Sequence, residues 1–143
     1  MSFQTRFTQF YADLANVDID DLDTIYHPET VFKDPIATHT GIESVKRYFG
    51  HLLDSTRECR FEIHHFAESA AQQSEYDAIV EWTMHLVLNN ANSPIHVDGV
   101  SLLKLKNERV IYHRDYYDMG EMVYEHIPIL KRVILYIKKR LTK

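Results

Sequence analysis

Cysteine occurs once in this chain, at Cys59, and that scarcity makes the first exclusions. One thiol cannot close an intramolecular disulfide, and it is too few for a cysteine-based zinc site. Long apolar runs are missing too. No stretch reaches the roughly 20 residues of a membrane span, and the opening MSFQTRFTQF lacks the apolar segment of a signal peptide. A cytoplasmic protein is the expectation. The 143 residues contain no HExxH pair, internal repeat, low-complexity tract or linker. The nine histidines are scattered, so no metal site and no cofactor is expected. Acidic residues stop at Glu125. Beyond it Lys131, Arg132, Lys138, Lys139, Arg140 and Lys143 give the tail +6, which against −5 overall leaves −11 on the first 126 residues. A body this acidic does not favour nucleic acid.

What is present is a chain of ordinary globular composition, 45% hydrophobic and 26% charged. Phe3, Phe7, Phe10, Tyr11 and Leu14 recur at helical spacing and predict a helix over 2–15. Asp18 is placed to cap a second short helix carrying Ile19, Leu22 and Ile25, with His27-Pro28 as its end. Thr30–Lys33 reads as a short strand closed by Asp34-Pro35, since proline cannot continue a ladder. A third helix runs from Ile42 to Leu53 with Val45, Tyr48, Phe49 and Leu52 on one face. The period then changes to two, predicting strands over Arg60–Phe66, Tyr76–Leu88, Ile95–Lys106 and Arg109–Tyr117. Turns are expected at Asn89–Asn92 and Asn107-Glu108. The segment Met119–Leu141 reads as helix interrupted near Pro128. Helices followed by an antiparallel meander imply an α+β fold whose curved sheet encloses a pocket. Residues 1–126 are expected to form one domain and 127–143 a basic amphipathic extension.

The segments TVFKDP (Thr30–Pro35), TGIESVKRYF (Thr40–Phe49), DGVSLLKLKNERV (Asp98–Val110) and HRDYYD (His113–Asp118) carry a resemblance to a known superfamily. The chain resembles the NTF2-like proteins, the cone-shaped α+β barrel shared by ketosteroid isomerase, the SnoaL-like polyketide cyclases and limonene-epoxide hydrolase. The resemblance implies the fold and a homodimer. Asp34 falls where the isomerase has its general base. Phe10 falls at the isomerase's oxyanion tyrosine, with Tyr11 one step away, and Ser101 falls at its protonated aspartic acid. Asp115 matches the first aspartate of the epoxide hydrolase's RDYFD-like strand end. Trp82 and Met84 stand where that enzyme has an arginine and an aspartate, so its hydrolytic triad is absent. In the cyclase-type members an acidic pocket residue acts as acid or base, a role Asp115 can fill.

Strand parity places Ile111, His113, Asp115 and Tyr117 on one face, with Tyr112, Arg114 and Tyr116 on the other, where they suit a dimer contact. Ser101, Leu103 and Leu105 share the inner face of the preceding strand, and Val80, Trp82, Met84 and Leu86 that of the strand before. The expected cavity is apolar with few polar groups, the usual make-up of a small-molecule site. Its expected members are Asp34, Asp115 and His113 as the acid–base set, with Tyr11, Trp82, Met84, Ser101 and Tyr117 lining it. Desolvation makes a carboxyl group in such a cavity a usable acid or base. His113-Arg114-Asp115 also spells the opening of a kinase catalytic loop, but no glycine-rich phosphate loop accompanies it and the chain is too short for a kinase.

The expected function is therefore a small-molecule-binding protein working as an acid–base isomerase, cyclase or hydratase on an apolar carbonyl-bearing or cyclic metabolite. The alternative is a non-catalytic ligand-binding or dimeric interaction module. The basic amphipathic tail fits packing on its own barrel, packing on a partner subunit, or association with a membrane surface.

Overall fold

The computed structural model describes residues 1–70, 74–91, 93–123 and 126–142. Helix α1 (Phe3–Ala12) starts at Ser2, whose hydroxyl accepts a hydrogen bond from the Thr5 amide at 3.2 Å. It buries Phe3, Phe7, Phe10 and Tyr11 along one face. The expected helix over 2–15 breaks at Asp13 into a short 3-10 turn, Leu14–Asn16. A second turn, Ile19–Asp21, is capped by the Asp18 carboxylate and leads into the single turn of α2 (Leu22–Ile25).

Strand β1 (Tyr26–Lys33) begins four residues earlier than the sequence pattern predicts, and His27-Pro28 lies inside it rather than closing a helix. The pairing of β1 with the last strand is irregular between Tyr26 and Val31, which is where a proline without a donor is tolerated. A three-residue strand that the sequence pattern did not mark, β2 (Thr38–Thr40), folds back on β1. Gly41, at φ 86°, then turns the chain into α3 (Ile42–Asp54). Four strands follow: β3 (Thr56–Glu68), β4 (Ala78–Leu88), β5 (Ile95–Lys106) and β6 (Arg109–Tyr117). Asn107 and Glu108 both take positive φ, 53° and 62°, as a tight hairpin between β5 and β6 demands. Arg6 supports that turn by donating to the Glu108 carbonyl at 2.7 Å. The closing segment divides as expected, into α4 (Met119–Met122) and α5 (Pro128–Leu141), with Pro128 at the first turn of α5.

The strands form one curved, open sheet in the order β2-β1-β6-β5-β4-β3. Every junction is antiparallel except β1–β6, which is parallel, with Phe32 opposite His113 and Lys33 opposite Arg114. That one parallel pair positions the site. Because β1 and β6 run the same way, the residue just after β1, Asp34, reaches the same rim as Asp115 and Tyr117. Helices α1 and α3 pack against the sheet, burying Val45, Val80, Val97, Leu103 and Val110 completely.

Two bulges break the strict alternation read from the sequence. On β6, Lys104 pairs with Tyr112 but Leu105 pairs with Val110, so Ile111 is the extra residue. Val110 is therefore the inward side chain, and Ile111, expected inside, is only half-buried. On β3, Ile63 pairs with Trp82 and His65 with Glu81, which makes His64 the extra residue. His64 and His65 both lie exposed on the outer face, bonded to Thr83 and Glu81.

Candidate active site

Downstream of its bulge, β6 turns His113 and Asp115 inward, two residues apart. His113 Nε2 lies 2.5 Å from Asp115 Oδ1. Ser101 is directly opposite Asp115 in the β5–β6 register, and its hydroxyl donates to the same oxygen at 2.5 Å. Trp82 Nε1–H in turn donates to Ser101 Oγ at 2.8 Å. The indole reaches that position because Gly99 faces it across β4–β5. A Cβ at Gly99 would lie 2.3 Å from the indole, well inside van der Waals contact, so a larger residue there forces the ring to shift.

Behind His113 a second arm continues. The Tyr26 hydroxyl is 2.8 Å from His113 Nδ1, and the hydroxyls of Tyr26 and Tyr11 bond directly. Donor and acceptor inventory fixes the direction of the arm from Trp82 through Ser101 to Asp115. The indole can only donate, so Ser101 passes its own proton to Asp115. The carboxylate can only accept, so His113 donates from Nε2–H. His113 Nδ1 and the hydroxyls of Tyr26 and Tyr11 continue the chain, and each hydroxyl there can give one proton and accept another. Burial pushes both phenols well above their ordinary range, which keeps them protonated donors. The residues are all buried, and both arms end on a single oxygen of Asp115. Oδ2 has no hydrogen-bond partner among the described residues.

Asp34 is held differently. Its Oδ1 accepts from the amides of Ile36 at 2.8 Å and Ala37 at 3.0 Å. Its Oδ2 accepts from the hydroxyl of Tyr48 on α3, whose ring stacks on His39 at 4.1 Å. Both oxygens are thus committed. Burial, with the hydrogen bond to Asp34 next, raises the Tyr48 phenol. Tyr117, at the end of β6, is raised by burial and then by the charges of Asp34 and Asp115, so it too is a neutral phenol facing two carboxylates.

These groups meet on one cavity of about 50 Å³. Asp34, Asp115, Tyr11, Tyr48 and Tyr117 supply its polar wall, and Phe32, Phe49, Phe61, Trp82, Met84 and Met122 are among its apolar side chains. Of the residues expected from sequence, Asp34, Asp115, Tyr11, Trp82, Met84 and Tyr117 all line it. Ser101 and His113 instead border an adjoining void of about 10 Å³ behind Asp115. Two residues escaped the sequence reading. Tyr26 lay in a segment read as helix. Tyr48 was placed on the inner face of α3, but its bond to Asp34, 14 positions away, has no sequence signal. Among the described residues, no group of three or more His, Cys, Asp or Glu side chains is placed to hold a metal ion, and no helix is long and apolar enough to cross a membrane.

The model of the SnoaL-like domain matches residues 7–113, which spans α1 to the middle of β6. Solved structures agree on the fold. An NTF2-like protein of unknown function from Burkholderia pseudomallei K96243 is 20% identical, with 86% of this chain and 96% of that one covered at a TM-score of 0.71. A hypothetical protein with a ketosteroid isomerase-like fold from Catenulispora acidiphila, in complex with trimethylamine, is 16% identical, covering 83% and 87% at 0.71. A putative SnoaL-like polyketide cyclase from Shewanella putrefaciens CN-32 is 20% identical, covering 84% and 92% at 0.68. No curated protein matches the chain.

Proposed function

The chain belongs to the SnoaL-like domain family, and on that premise we propose that it binds a small, largely apolar molecule bearing a carbonyl group and moves a proton on it. The observation that carries this reading is the asymmetry of Asp115. One oxygen is fixed by Ser101 and His113, while the other has no hydrogen-bond partner among the described residues, in a carboxylate that lines the cavity. A carboxylate held rigidly by one oxygen and free at the other is a positioned base.

In the proposed step, Asp115 Oδ2 takes a proton from the carbon next to the carbonyl. The C–H electron pair moves into a C=C bond and the carbonyl π pair onto its oxygen, giving an enolate. Tyr117, kept neutral by burial and by both carboxylates, donates to that oxygen. In a substrate with a C=C bond conjugated with the enolate, return of the proton from Asp115 to the far carbon completes an isomerisation; attack of the enolate carbon on a second carbonyl forms a C–C bond and an alkoxide, and the proton held by Asp115 neutralises that alkoxide to complete a cyclisation. The proton transfer needs only side chains of this protein. Asp34, with both oxygens hydrogen-bonded, serves as the anchor that orients Tyr48, and His113 is a positioning residue behind Asp115. The aromatic walls keep water from the enolate.

A second reading, a ligand-binding module without turnover, draws support from the commitment of both Asp34 oxygens. One experiment separates the two. Cyclic ketones and 1,3-diketones are incubated with the protein in D2O, and exchange of the protons beside the carbonyl is followed by NMR. Accelerated exchange that falls about 100-fold or more in Asp115→Asn supports the enzyme. A ligand recovered unchanged, with no exchange above background for any compound, supports the module.

A further inference from the structure

Helix α5 does nothing for the cavity. All of its residues are exposed except Ile134, which is half-buried. Apolar side chains are nevertheless its main content: Ile129 is 77% exposed, Tyr136 61% and Leu141 80%. At 100° per residue, Ile129, Leu130, Val133, Ile134, Ile137 and Leu141 fall in one arc of about 160° that ends at Tyr136 and is interrupted by Arg140. The Arg140 guanidinium lies over the Tyr136 ring, 6.0 Å from its centroid. Lys131 and Lys138 flank one edge of the arc, and Arg132 and Lys139 flank the other. Leu135 sits among these cations on the polar side.

The charges decide what covers this face. The helix carries five cations and no anion, and no acidic residue follows Glu125. Lys138 lies 3.9 Å from the Asp118 carboxylate, and pairing two copies along the apolar arc would still bring two cationic rows together on each side with no acidic residue on the helix to separate them. At 14 residues the helix is about 21 Å long, too short to cross a bilayer. An apolar arc edged on both sides by lysine and arginine fits a surface that offers acyl chains at its centre and negative headgroups around it. We propose that α5 is an interfacial helix that seats this protein on an anionic lipid bilayer, its Ile129, Val133 and Ile137 side in the acyl boundary and its cations on the headgroups. This surface is separate from the cavity, and the proposal stands whether or not the cavity is catalytic.

The test uses the full chain and vesicles of phosphatidylcholine with or without one third phosphatidylserine, read by co-sedimentation at low and high salt. The wild type should sediment with the phosphatidylserine vesicles, and high salt should weaken that binding. Lys131→Gln/Lys139→Gln should bind about 30-fold more weakly, at about fivefold per cation. Val133→Asp/Ile137→Asp should abolish binding. Both variants should melt like the wild type, because these side chains are exposed. Three results would overturn the proposal: equal binding to both vesicle types, variants that bind like the wild type, or a dimer dissociated by Val133→Asp/Ile137→Asp in a protein that ignores vesicles.

Discussion

Replacing Tyr26 with phenylalanine tests the direction of the hydrogen-bond chain that holds Asp115. With the chain running toward Asp115, the hydroxyl of Tyr26 donates to His113 Nδ1 and accepts from Tyr11; both tyrosines and the histidine are buried. Tyr26→Phe therefore removes two hydrogen bonds and strands two groups. His113, 1% exposed, cannot recover its acceptor bond from water. Tyr11 lines the cavity, so its hydroxyl recovers part of its loss. At about 1–3 kcal/mol for a stranded buried group, and less for the Tyr11 side, the cost is about 2–4 kcal/mol. Tyr11→Phe removes only the outermost donor. Tyr26 still donates to His113 and loses a single accepted bond, at about 1 kcal/mol. Urea unfolding of the two variants with unchanged m gives the comparison directly. Because a rotated His113 no longer steadies Asp115, Tyr26→Phe should also lower turnover more than Tyr11→Phe. A ¹⁵N spectrum should show the His113 proton on Nε2 in the wild type and a change of tautomer population in Tyr26→Phe alone. If Tyr11→Phe destabilises as much as Tyr26→Phe, the chain does not run toward Asp115 and the reasoning fails.

Gly99→Ala should cost about 1–3 kcal/mol by overpacking the indole of Trp82; since Trp82 is the only tryptophan, its fluorescence should shift together with the drop in melting temperature. Alkaline pH should unfold the protein. Burial raises Tyr11 and Tyr26 in the folded state, whereas unfolded tyrosine titrates near about 10. The stability these groups supply is thus fully present below about pH 10 and is lost as pH rises above it, because the unfolded chain releases protons that the folded one retains. Circular dichroism and tyrosinate absorbance should change together in that range. The Cys59 thiol, pushed up to about 12 by burial, should resist thiol reagents until the same transition. Homodimerisation through the outer sheet face, where Ile79 is 46% and Tyr116 52% exposed, predicts that Ile79→Asp/Tyr116→Asp yields a monomer by sedimentation velocity; a wild-type monomer would remove that expectation.

Periodicity carried most of the fold. The period-two runs over Ile95–Lys106 and Arg109–Tyr117 match β5 and β6 to the residue, and parity correctly turned Val80, Trp82, Met84 and Leu86 inward on β4. It failed where the backbone inserts an extra residue. Nothing in the letters around Ile111 or His64 announces a bulge, because a bulge answers to the neighbouring strand and to sheet curvature. The early start of β1 was hidden by Pro28, whose usual meaning as a stop is overridden by an irregular stretch of pairing. At the site, the two aspartates were legible because each sits in a recognisable strand end. Their partners were not. Tyr26 and His113 are 87 positions apart, and only the parallel junction of β1 with β6 brings them together.

Asp115 as the proton carrier and Asp34 as an anchor make opposite demands on two variants. Asp115→Asn and Asp34→Asn should be compared side by side for proton exchange beside the carbonyl of a substrate the wild type accepts. Loss of the base should lower the rate about 100-fold or more. Loss of the Asp34 charge leaves the base intact and only loosens Tyr48, so its effect should be about tenfold or less and should appear mainly in KM. The reverse order, with Asp34→Asn inactive and Asp115→Asn near the wild-type rate, would contradict the assignment.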